Sequence, residues 1–500
     1  MMSLRRCSAF YDRGRALSTT PSKPGDGSAT RPLAGRLLAA SLGLGACGCL
    51  AWLTSEEDGA PQWGAATTAA LRLARVDAAL RPAIGAAVPS EVFVALYSSS
   101  RTAFLAALAA AAPAPAAPHT GGAGSGCAAT PRAAEAMGLR FRNDLGNAAG
   151  LDKDGALLAF AYRLGAGYAV VGTVLSEPHA GNVFGMLGGL WRGNAWTPLP
   201  QSGAALNSLG LPSKGVDAAL ANIAAFRESH GIAPQTGRGS SSGAGAGAGG
   251  SSSNGDGGSS GSGNDDFFPI GVSIMGHPAH GADPARKLQG VLECVRKSLP
   301  LADFIEINES CPNVDHGGGN GGSGGGGSSG KAHDKELAAR LRAVVAVRDE
   351  AAAAKGGDGR RVPLLVKLGD LGADAGATVR FLAGLGVDGV VALNTQKDYA
   401  AFDLPAADRA LLEHYTERYG GGLSGPPVLR RSSEQVEAAA AAAARAPAPF
   451  VVVHVGGLES HADVQRSRAT GAPLRQWYTG LMHGLAQPEP HKLYARVTAL

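Results

Sequence analysis

The sequence has few cysteines, and their positions argue against several kinds of site. Only six cysteines occur in 500 residues, three of them within the first fifty, and no two form a CxxC pair. None lies in a cluster with histidines. This pattern argues against a structural zinc ion, a cysteine-bound iron–sulfur cluster and a disulfide framework. We therefore expect no metal site.

The sequence also lacks a strong excess of charge. The formal net charge is only +4 and the basic excess lies at the N-terminus, so composition gives no argument for nucleic-acid binding. A hydrophobic content of 45% is typical of a folded protein, whereas the 74 glycines indicate low-complexity segments. Two of these segments, residues 235–264 and 315–331, are predicted to be insertions with no packed core.

The N-terminal region combines a basic leader with an apolar segment. Residues 1–36 are rich in arginine, serine and threonine and contain only two acidic residues, which is typical of a mitochondrial presequence. The 17 uncharged residues from Leu37 to Leu53 then predict a transmembrane anchor over residues 37–55. A secretory signal peptide is the competing interpretation. With the basic flank inside, we expect an inner-membrane protein whose remaining chain faces the intermembrane space.

A helical hairpin is predicted next, over residues 65–108. Apolar residues recur at helical spacing in two segments, and Pro89 opens the second one. Such a hairpin either packs on the main domain or forms a platform on a membrane surface. An alanine- and proline-rich linker, residues 109–130, separates it from the rest of the chain.

Residues 131–500 predict an α/β fold, a (β/α)8 TIM barrel. Eight β-rich runs begin near residues 145, 169, 270, 304, 364, 389, 451 and 475, and helical segments separate most of them. The eighth run is unusually polar for a barrel strand because it contains Arg475 and Gln476.

Chemistry-bearing residues follow the predicted strands, at the end of the barrel where active sites lie. Asparagines at strand ends are often only turn formers, and a cysteine beside a strand is more often a small apolar filler than a nucleophile. Lys367 is harder to explain structurally, because a lysine within "LLVKL" points into the barrel and needs an anionic partner. Late glycines such as Gly425 and Gly457 are either turns or a phosphate site. Together these residues indicate a planar, carbonyl-rich ligand beside a phosphorylated cofactor.

The motifs "AAGLDKDG", "NSLGLP", "INESCPN", "LLVKL", "LNT", "GGLSG", "VGGL" and "YTGL" occur in this order. This series resembles the dihydroorotate dehydrogenase family, the flavin enzymes of pyrimidine synthesis. The resemblance implies oxidation of dihydroorotate to orotate in UMP synthesis, with FMN as cofactor and ubiquinone as acceptor. It covers roughly residues 139–485 apart from the two insertions.

The resemblance also implies roles for individual residues. Cys311 would be the base that removes the C5 proton of dihydroorotate, since a thiol needs only modest tuning to ionise near neutrality. The substrate would be bound by Lys153, Asn207, Leu209, Gly210, Leu211, Asn308, Asn313, Asn394 and Thr395. FMN would be bound by Ala148, Ala149, Gly150, Thr173, Ser273, Lys367, Gly425, Gly457, Tyr478 and Thr479.

The sequence departs from the family pattern in two places. The anchor and hairpin resemble the membrane-bound, quinone-reducing branch, which carries serine where Cys311 stands, whereas "SCPN" resembles the soluble branches. After Asn182 the usual proline and arginine are replaced by "VFGMLGGLWRG". The alternatives are a fumarate-type activity on an anchored chain, a dihydrouridine synthase-like barrel acting on RNA, and a tethered binding protein without catalysis. We expect quinone as the acceptor, because the anchor and apolar hairpin give access to a lipid-soluble oxidant.

Overall fold

The computed structural model describes residues 63–110, 133–235, 267–309, 335–354 and 360–499. The predicted presequence 1–36 and anchor 37–55 lie outside the described residues. So do nearly all of the linker 109–130 and of the two insertions, together with Cys311 and Asn313.

Two helices form the N-terminal part of the described chain, α1 (Ala65–Ala87) and α2 (Ser90–Ala109). Pro89 precedes the first turn of α2, a position where a missing backbone N–H costs nothing. The helices run antiparallel, since Thr67 Oγ1 near the start of α1 donates to Ala107 O near the end of α2 at 2.7 Å. The sequence pattern therefore located both helices, although they are longer than the short segments expected.

The barrel that follows is built from these elements. The strands are β1 (Ala134–Ala136), β2 (Leu139–Phe141), β3 (Leu145–Asn147), β4 (Ala169–Val174), β5 (Phe184–Met186), β6 (Trp191–Gly193), β7 (Ala195–Pro198), β8 (Ala205–Ser208), β9 (Ile270–Ile274), β10 (Phe304–Asn308), β11 (Leu364–Leu368), β12 (Gly389–Ala392), β13 (Gly422–Ser424), β14 (Val451–Val455) and β15 (Leu474–Trp477). The further helices are α3 (Leu158–Arg163), α4 (Val216–His230), α5 (Pro284–Ser298), α6 (Lys335–Ala353), α7 (Ala375–Gly384), α8 (Ala406–Tyr419), α9 (Leu429–Ala443), α10 (His461–Ala469), α11 (Thr479–Leu485) and α12 (Leu493–Thr498).

Eight of the strands form one parallel sheet in the order β3-β15-β14-β12-β11-β10-β9-β4. The two end strands meet, because Gly150 N donates to Gly172 O at 2.6 Å and Asn147 Nδ2 donates to Val170 O at 2.8 Å. These strands coincide with the eight runs in the sequence, so the predicted TIM barrel is confirmed. Strands such as β4, β9, β10 and β11 are buried at every residue, which explains why they read as continuous rather than alternating apolar runs.

The polar eighth strand, β15, is held by a buried ionic cluster. Arg475 is 1% exposed and its Nη1 donates to Asp144 Oδ2 at 2.7 Å, while Arg468 Nε donates to the same oxygen at 2.7 Å. Asp144 immediately precedes β3, and its carbonyl oxygen also accepts from Arg475 N at 2.8 Å. The charge that made this strand look atypical therefore helps to close the barrel between its first and last strands.

Two small antiparallel sheets lie in the loops after the barrel strands. β7, β8 and β13 form a three-stranded sheet, and β5 and β6 form a separate hairpin. The sequence pattern predicted neither sheet. Both matter for the site, since β8 carries Asn207 and leads into the loop Leu209–Leu211.

Candidate active site

A cleft opens at the C-terminal ends of the barrel strands. Its lining includes most of the residues that were predicted to bind substrate or cofactor, from nine separate regions of the chain: Ala148, Ala149, Gly150, Lys153, Thr173, Asn207, Leu209, Gly210, Leu211, Asn308, Lys367, Asn394, Thr395, Gly425, Gly457, Tyr478 and Thr479. Parallel strands bring these positions together because all their carboxyl ends meet at one face of the barrel.

Ser273 is the described residue of the predicted set that does not line the cleft. Its side chain is fully buried, lies 3.2 Å from the Thr173 hydroxyl and donates to Glu306 Oε1 at 3.2 Å. Ser273 therefore lies one layer below the cleft wall, because β9 places it beside Glu306 of β10 in the barrel interior.

A chain of hydrogen bonds forms the floor beneath the cleft. Asn308 Nδ2 donates to Thr173 Oγ1 at 2.9 Å, and Thr173 connects through Ser273 to the Glu306 carboxylate. From the opposite side of the barrel, Gln476 Nε2 donates to Glu306 Oε2 at 3.0 Å. These side chains are at most 5% exposed, so the network fixes the orientation of the Asn308 amide in a region of low dielectric.

Lys367 contributes a buried positive charge to the wall. It lies in the middle of β11, beside Asn308 of β10, and only 3% of it is exposed. Within the described part of the chain, no hydrogen bond or ion pair to its ammonium group is present. A buried ammonium group without a partner is costly, so an anionic or electron-rich ligand in the cleft would stabilise it.

Three glycines with unusual backbone angles form a cradle in the lining of the cleft. Gly425, Gly456 and Gly457 have φ angles of +97°, +135° and +78°, a backbone conformation that side chains disfavour. At Gly457 an added Cβ would lie 2.6 Å from Leu429 N, at the start of α9. Consecutive exposed amides in such a backbone, beside a helix N-terminus, suit an anion such as phosphate.

The loop Leu209–Leu211 is held close to the cleft by its neighbours. Asn182 N donates to Leu209 O at 2.9 Å, and an added Cβ on Gly210 would lie 2.3 Å from the Asn182 side chain. Gly210 has a φ of +65°, so both sterics and backbone geometry require glycine there. Although the residues after Asn182 depart from the family pattern, Asn182 itself still supports this loop.

The turn that carries Lys153 is organised by its neighbour Asp152. Asp152 Oδ1 accepts from Gly155 N at 2.8 Å and Oδ2 accepts from Leu157 N at 3.1 Å. Burial raises the pKa of Asp152 to about 7, with the Asp154 carboxylate adding to the effect. The Asp152 side chain thus holds the turn in shape, and the next residue, Lys153, places a cationic side chain at the cleft wall.

A contact that the sequence does not predict joins the helical hairpin to the lining of the cleft. Arg101 of α2 donates to the Tyr478 hydroxyl from Nε at 2.8 Å and from Nη2 at 2.6 Å. In the described parts of the chain, Arg101 has no carboxylate partner. Helical spacing placed Arg101 on α2, but only the docking of α2 on the barrel brings it to Tyr478.

Comparisons with known proteins show which family this chain resembles. The family model for dihydroorotate dehydrogenase matches residues 133–489. The chain is 31% identical over 357 residues to a dihydroorotate dehydrogenase (quinone) of Flavobacterium lutescens, covering 71% of this chain and 80% of that protein. A protein of the same name from Stenotrophomonas maltophilia is 31% identical over 356 residues, covering 70% of this chain and 80% of the relative.

A solved structure supports the fold. The crystal structure of a dihydroorotate dehydrogenase from Eimeria tenella, in complex with ferulenol, aligns with a TM-score of 0.53 at 20% sequence identity. The alignment covers 73% of this chain and 82% of that one.

The expected location is wrong. We predicted the mitochondrial inner membrane, with the catalytic domain facing the intermembrane space, on the basis of the basic leader. The similar quinone-dependent enzymes come from Flavobacterium, Stenotrophomonas, Xanthomonas and Xylella, which are bacteria and have no mitochondria. The composition of a leader is a weak guide to location.

The family model and the two relatives each match about 70% of the chain or more. The chain therefore belongs to the dihydroorotate dehydrogenase family.

Proposed function

We propose that this chain oxidises dihydroorotate to orotate in pyrimidine biosynthesis, with FMN as the bound cofactor and a quinone as the electron acceptor. The observation that carries the proposal is the buried Lys367, whose ammonium group has no hydrogen bond or ion pair among the described residues, in the wall of a cleft that also holds a glycine cradle and several amides. A flavin mononucleotide needs these features, namely a cation at its pyrimidine edge and backbone amides for its phosphate.

FMN fits the cleft residues in two places. Lys367 would face the N1/O2 edge of the ring, where a positive charge stabilises the anion that forms on reduction. Gly425, Gly457 and Thr479 would hold the phosphate, and the Thr479 hydroxyl is already oriented by Ser424 Oγ at 2.9 Å. Bound FMN would supply the hydride acceptor for dihydroorotate and pass the electrons on to the quinone.

The chain's own residues would bind and orient the substrate. Lys153 would hold the carboxylate of dihydroorotate through a charge-assisted contact. Asn207, Asn308 and Asn394 would pair with the amides and carbonyls of the ring, and the floor beneath Asn308 would keep its amide in one orientation. Holding the ring in one plane accounts for part of the rate, because fixed geometry removes orientational entropy from the reaction.

Cys311 is proposed as the base that takes the proton from C5. It lies three residues beyond Asn308, the last residue of β10, and outside the described residues. The last described residue before it, Glu309, is held by Arg340 at 3.0 Å and donates its backbone N–H to Lys367 O at 3.1 Å. The described chain after β10 is therefore fixed at Glu309, two residues before Cys311.

The quinone would approach from the side of the helical hairpin. Five large apolar side chains of α1 and α2 are exposed to solvent, namely Leu73, Leu80, Val76, Val92 and Leu96. Helix α2 is also long and apolar enough to cross a membrane by length and composition, although it packs against the barrel. We propose that the hairpin rests on a membrane surface, and that Arg101 and Tyr478 lie where the acceptor reaches the flavin.

Anaerobic half-reactions test this function. Purified protein should show flavin absorbance that bleaches on addition of dihydroorotate and returns on addition of a quinone. Fumarate and NAD, offered separately, should restore it much more slowly. Protein that binds no flavin, or a flavin that dihydroorotate fails to reduce, would disprove the proposal.

A further inference from the structure

The exposed large apolar side chains of the described residues lie in two neighbouring parts of the chain. Among the described residues, the large apolar side chains that are strongly exposed lie either on α1 and α2 or in the segment around the β5–β6 hairpin. Two belong to the second group, Val183 at 44% and Leu190 at 91% exposed. A single exposed leucine needs no explanation, but a cluster of such residues on one part of a surface marks an interaction site.

The base of the β5–β6 hairpin is fixed in a packed core. Met186 is fully buried in a hydrophobic cluster that also contains Phe93 of α2. The backbone N–H of Leu187 donates to Glu91 Oε1, in the first turn of α2, at 2.8 Å. The hairpin is therefore attached to the same helix that exposes Val92.

The tip of this hairpin projects into open space. Leu187, Gly188 and Gly189 have φ angles of +53°, +66° and +92°, which make a tight turn. A Cβ added at Gly188 or Gly189 would meet no atom within 4 Å. Leu190 follows the turn directly, so a rigid base presents a nearly fully exposed leucine at the tip.

The residues beside Leu190 suit the surface of a bilayer. Trp191 is half-buried and Arg192 is exposed, so the hairpin presents an apolar residue, an aromatic ring and a cation in succession. Aromatic side chains favour the interface between lipid and water, and arginine binds lipid phosphates. The acidic residues of α1 and α2, Asp77 and Glu91, are both paired with arginines, so they present little free negative charge to an anionic membrane.

From these observations we infer that the β5–β6 hairpin is a second membrane-binding element, which inserts Leu190 into the bilayer beside α1 and α2. The inference rests on the proposed membrane position of the helical hairpin and extends it to a part of the barrel domain. Contact at two separate points would restrict how the domain tilts on the membrane, and would hold the acceptor side of the cleft toward the lipid.

Fluorescence from the hairpin tip tests the inference in the full-length, FMN-loaded chain. An environment-sensitive fluorescent amino acid is placed at position 190, and in a control protein at the exposed Ala225 of α4. With vesicles of phosphatidylcholine and an anionic lipid, we expect the label at position 190 to shift to the blue and to be quenched by spin-labelled lipids. The label at position 225 should do neither. An unquenched label at position 190 would overturn the inference.

Leu190→Glu provides a second test, with Leu190→Met as the matched control. The glutamate variant should raise the apparent KM for quinone embedded in vesicles by about tenfold to a hundredfold, the equivalent of losing one buried leucine, whereas methionine should have little effect. Reduction of a water-soluble dye by dihydroorotate should be the same in all three proteins.

The outcomes separate the two proposals. Normal dye reduction with an unchanged KM for embedded quinone in Leu190→Glu would overturn the membrane role of the hairpin and leave the dehydrogenase function standing. Loss of dihydroorotate-dependent dye reduction in the unaltered chain would instead contradict the proposed function. A dimer that dissociates in Leu190→Glu would mean that a second copy, and not lipid, covers the hairpin.

Discussion

Replacing Lys367 by methionine should have opposite consequences for the apoprotein and for the flavin-loaded protein. The side chain is 3% exposed, and no partner for its charge lies among the described residues. Without FMN, the ammonium group is a buried charge that methionine of similar length would remove. We therefore expect apo Lys367→Met to be as stable as the unaltered apoprotein, or more stable.

With FMN bound, the same substitution should be unfavourable. A hydrogen bond to a charged group contributes about 1.5–3 kcal/mol, so its loss should weaken FMN binding about 10- to 150-fold. Flavin reduction by dihydroorotate should also slow by roughly 10²- to 10³-fold, as is usual when a group that stabilises a developing anion is removed.

Two assays measure these effects separately. Titration of apoprotein with FMN, followed by flavin fluorescence, gives the affinity, and anaerobic stopped-flow mixing with dihydroorotate gives the reduction rate. Lys397→Met, at an exposed lysine a short distance after β12, is the control and should change neither. Unchanged FMN affinity in Lys367→Met, or an equal loss of stability with and without FMN, would refute the role assigned to this lysine.

Three further predictions concern the barrel and the base. Asp144→Ala leaves the buried Arg475 without its carboxylate partner, and should lower the free energy of unfolding, measured in urea, by about 3–5 kcal/mol. The control Glu434→Ala, which removes an exposed ion pair, should lower it by less than about 1 kcal/mol. Burial lowers the pKa of His454 to about 3, so below about pH 6.5 the unfolded chain takes up a proton that the folded chain does not. Stability should therefore fall as the pH drops from about 6.5 toward 3, by up to about 1.4 kcal/mol per pH unit, and His454→Gln should flatten this slope in urea titrations; an identical slope would contradict the assignment. Cys311→Ser should slow flavin reduction less at high pH than at neutral pH, since serine loses its proton less readily, and a rate unaffected at every pH would exclude the thiol as the base.

Most of the barrel could be predicted because its strands are buried on both faces. A run such as "AVVGTV" has no polar side to obscure it, and the helices between the runs make parallel pairing the natural arrangement. The carboxyl ends of such strands converge, so the lining of the cleft followed from the fold and the motifs together. Ser273 does not line the cleft, which the sequence could not show because a strand position alone does not say how far along the barrel axis its side chain lies.

The three-stranded sheet and the β5–β6 hairpin could not be predicted in the same way. β5, β6 and β13 have three residues each, too few for a periodic pattern. β13 pairs with β8, more than 200 residues earlier in the chain, so the pairing depends on contacts that form only once the barrel has closed. The contact of Arg101 with Tyr478, 377 residues apart, has the same origin.

β15, the barrel strand with the unusually polar sequence, makes or leads into three contacts that depend on its register. Arg475 joins the last strand to the first, and the next residue, Gln476, donates to Glu306 beneath the cleft at 3.0 Å. Two residues further on, Tyr478 accepts from Arg101 of the helical hairpin. A shift of one residue in register would send each side chain to the opposite face and break all three contacts together. The polarity of this strand is therefore required, because one short segment sets the closure of the barrel, the floor of the site and the attachment of the hairpin through which we propose the acceptor arrives.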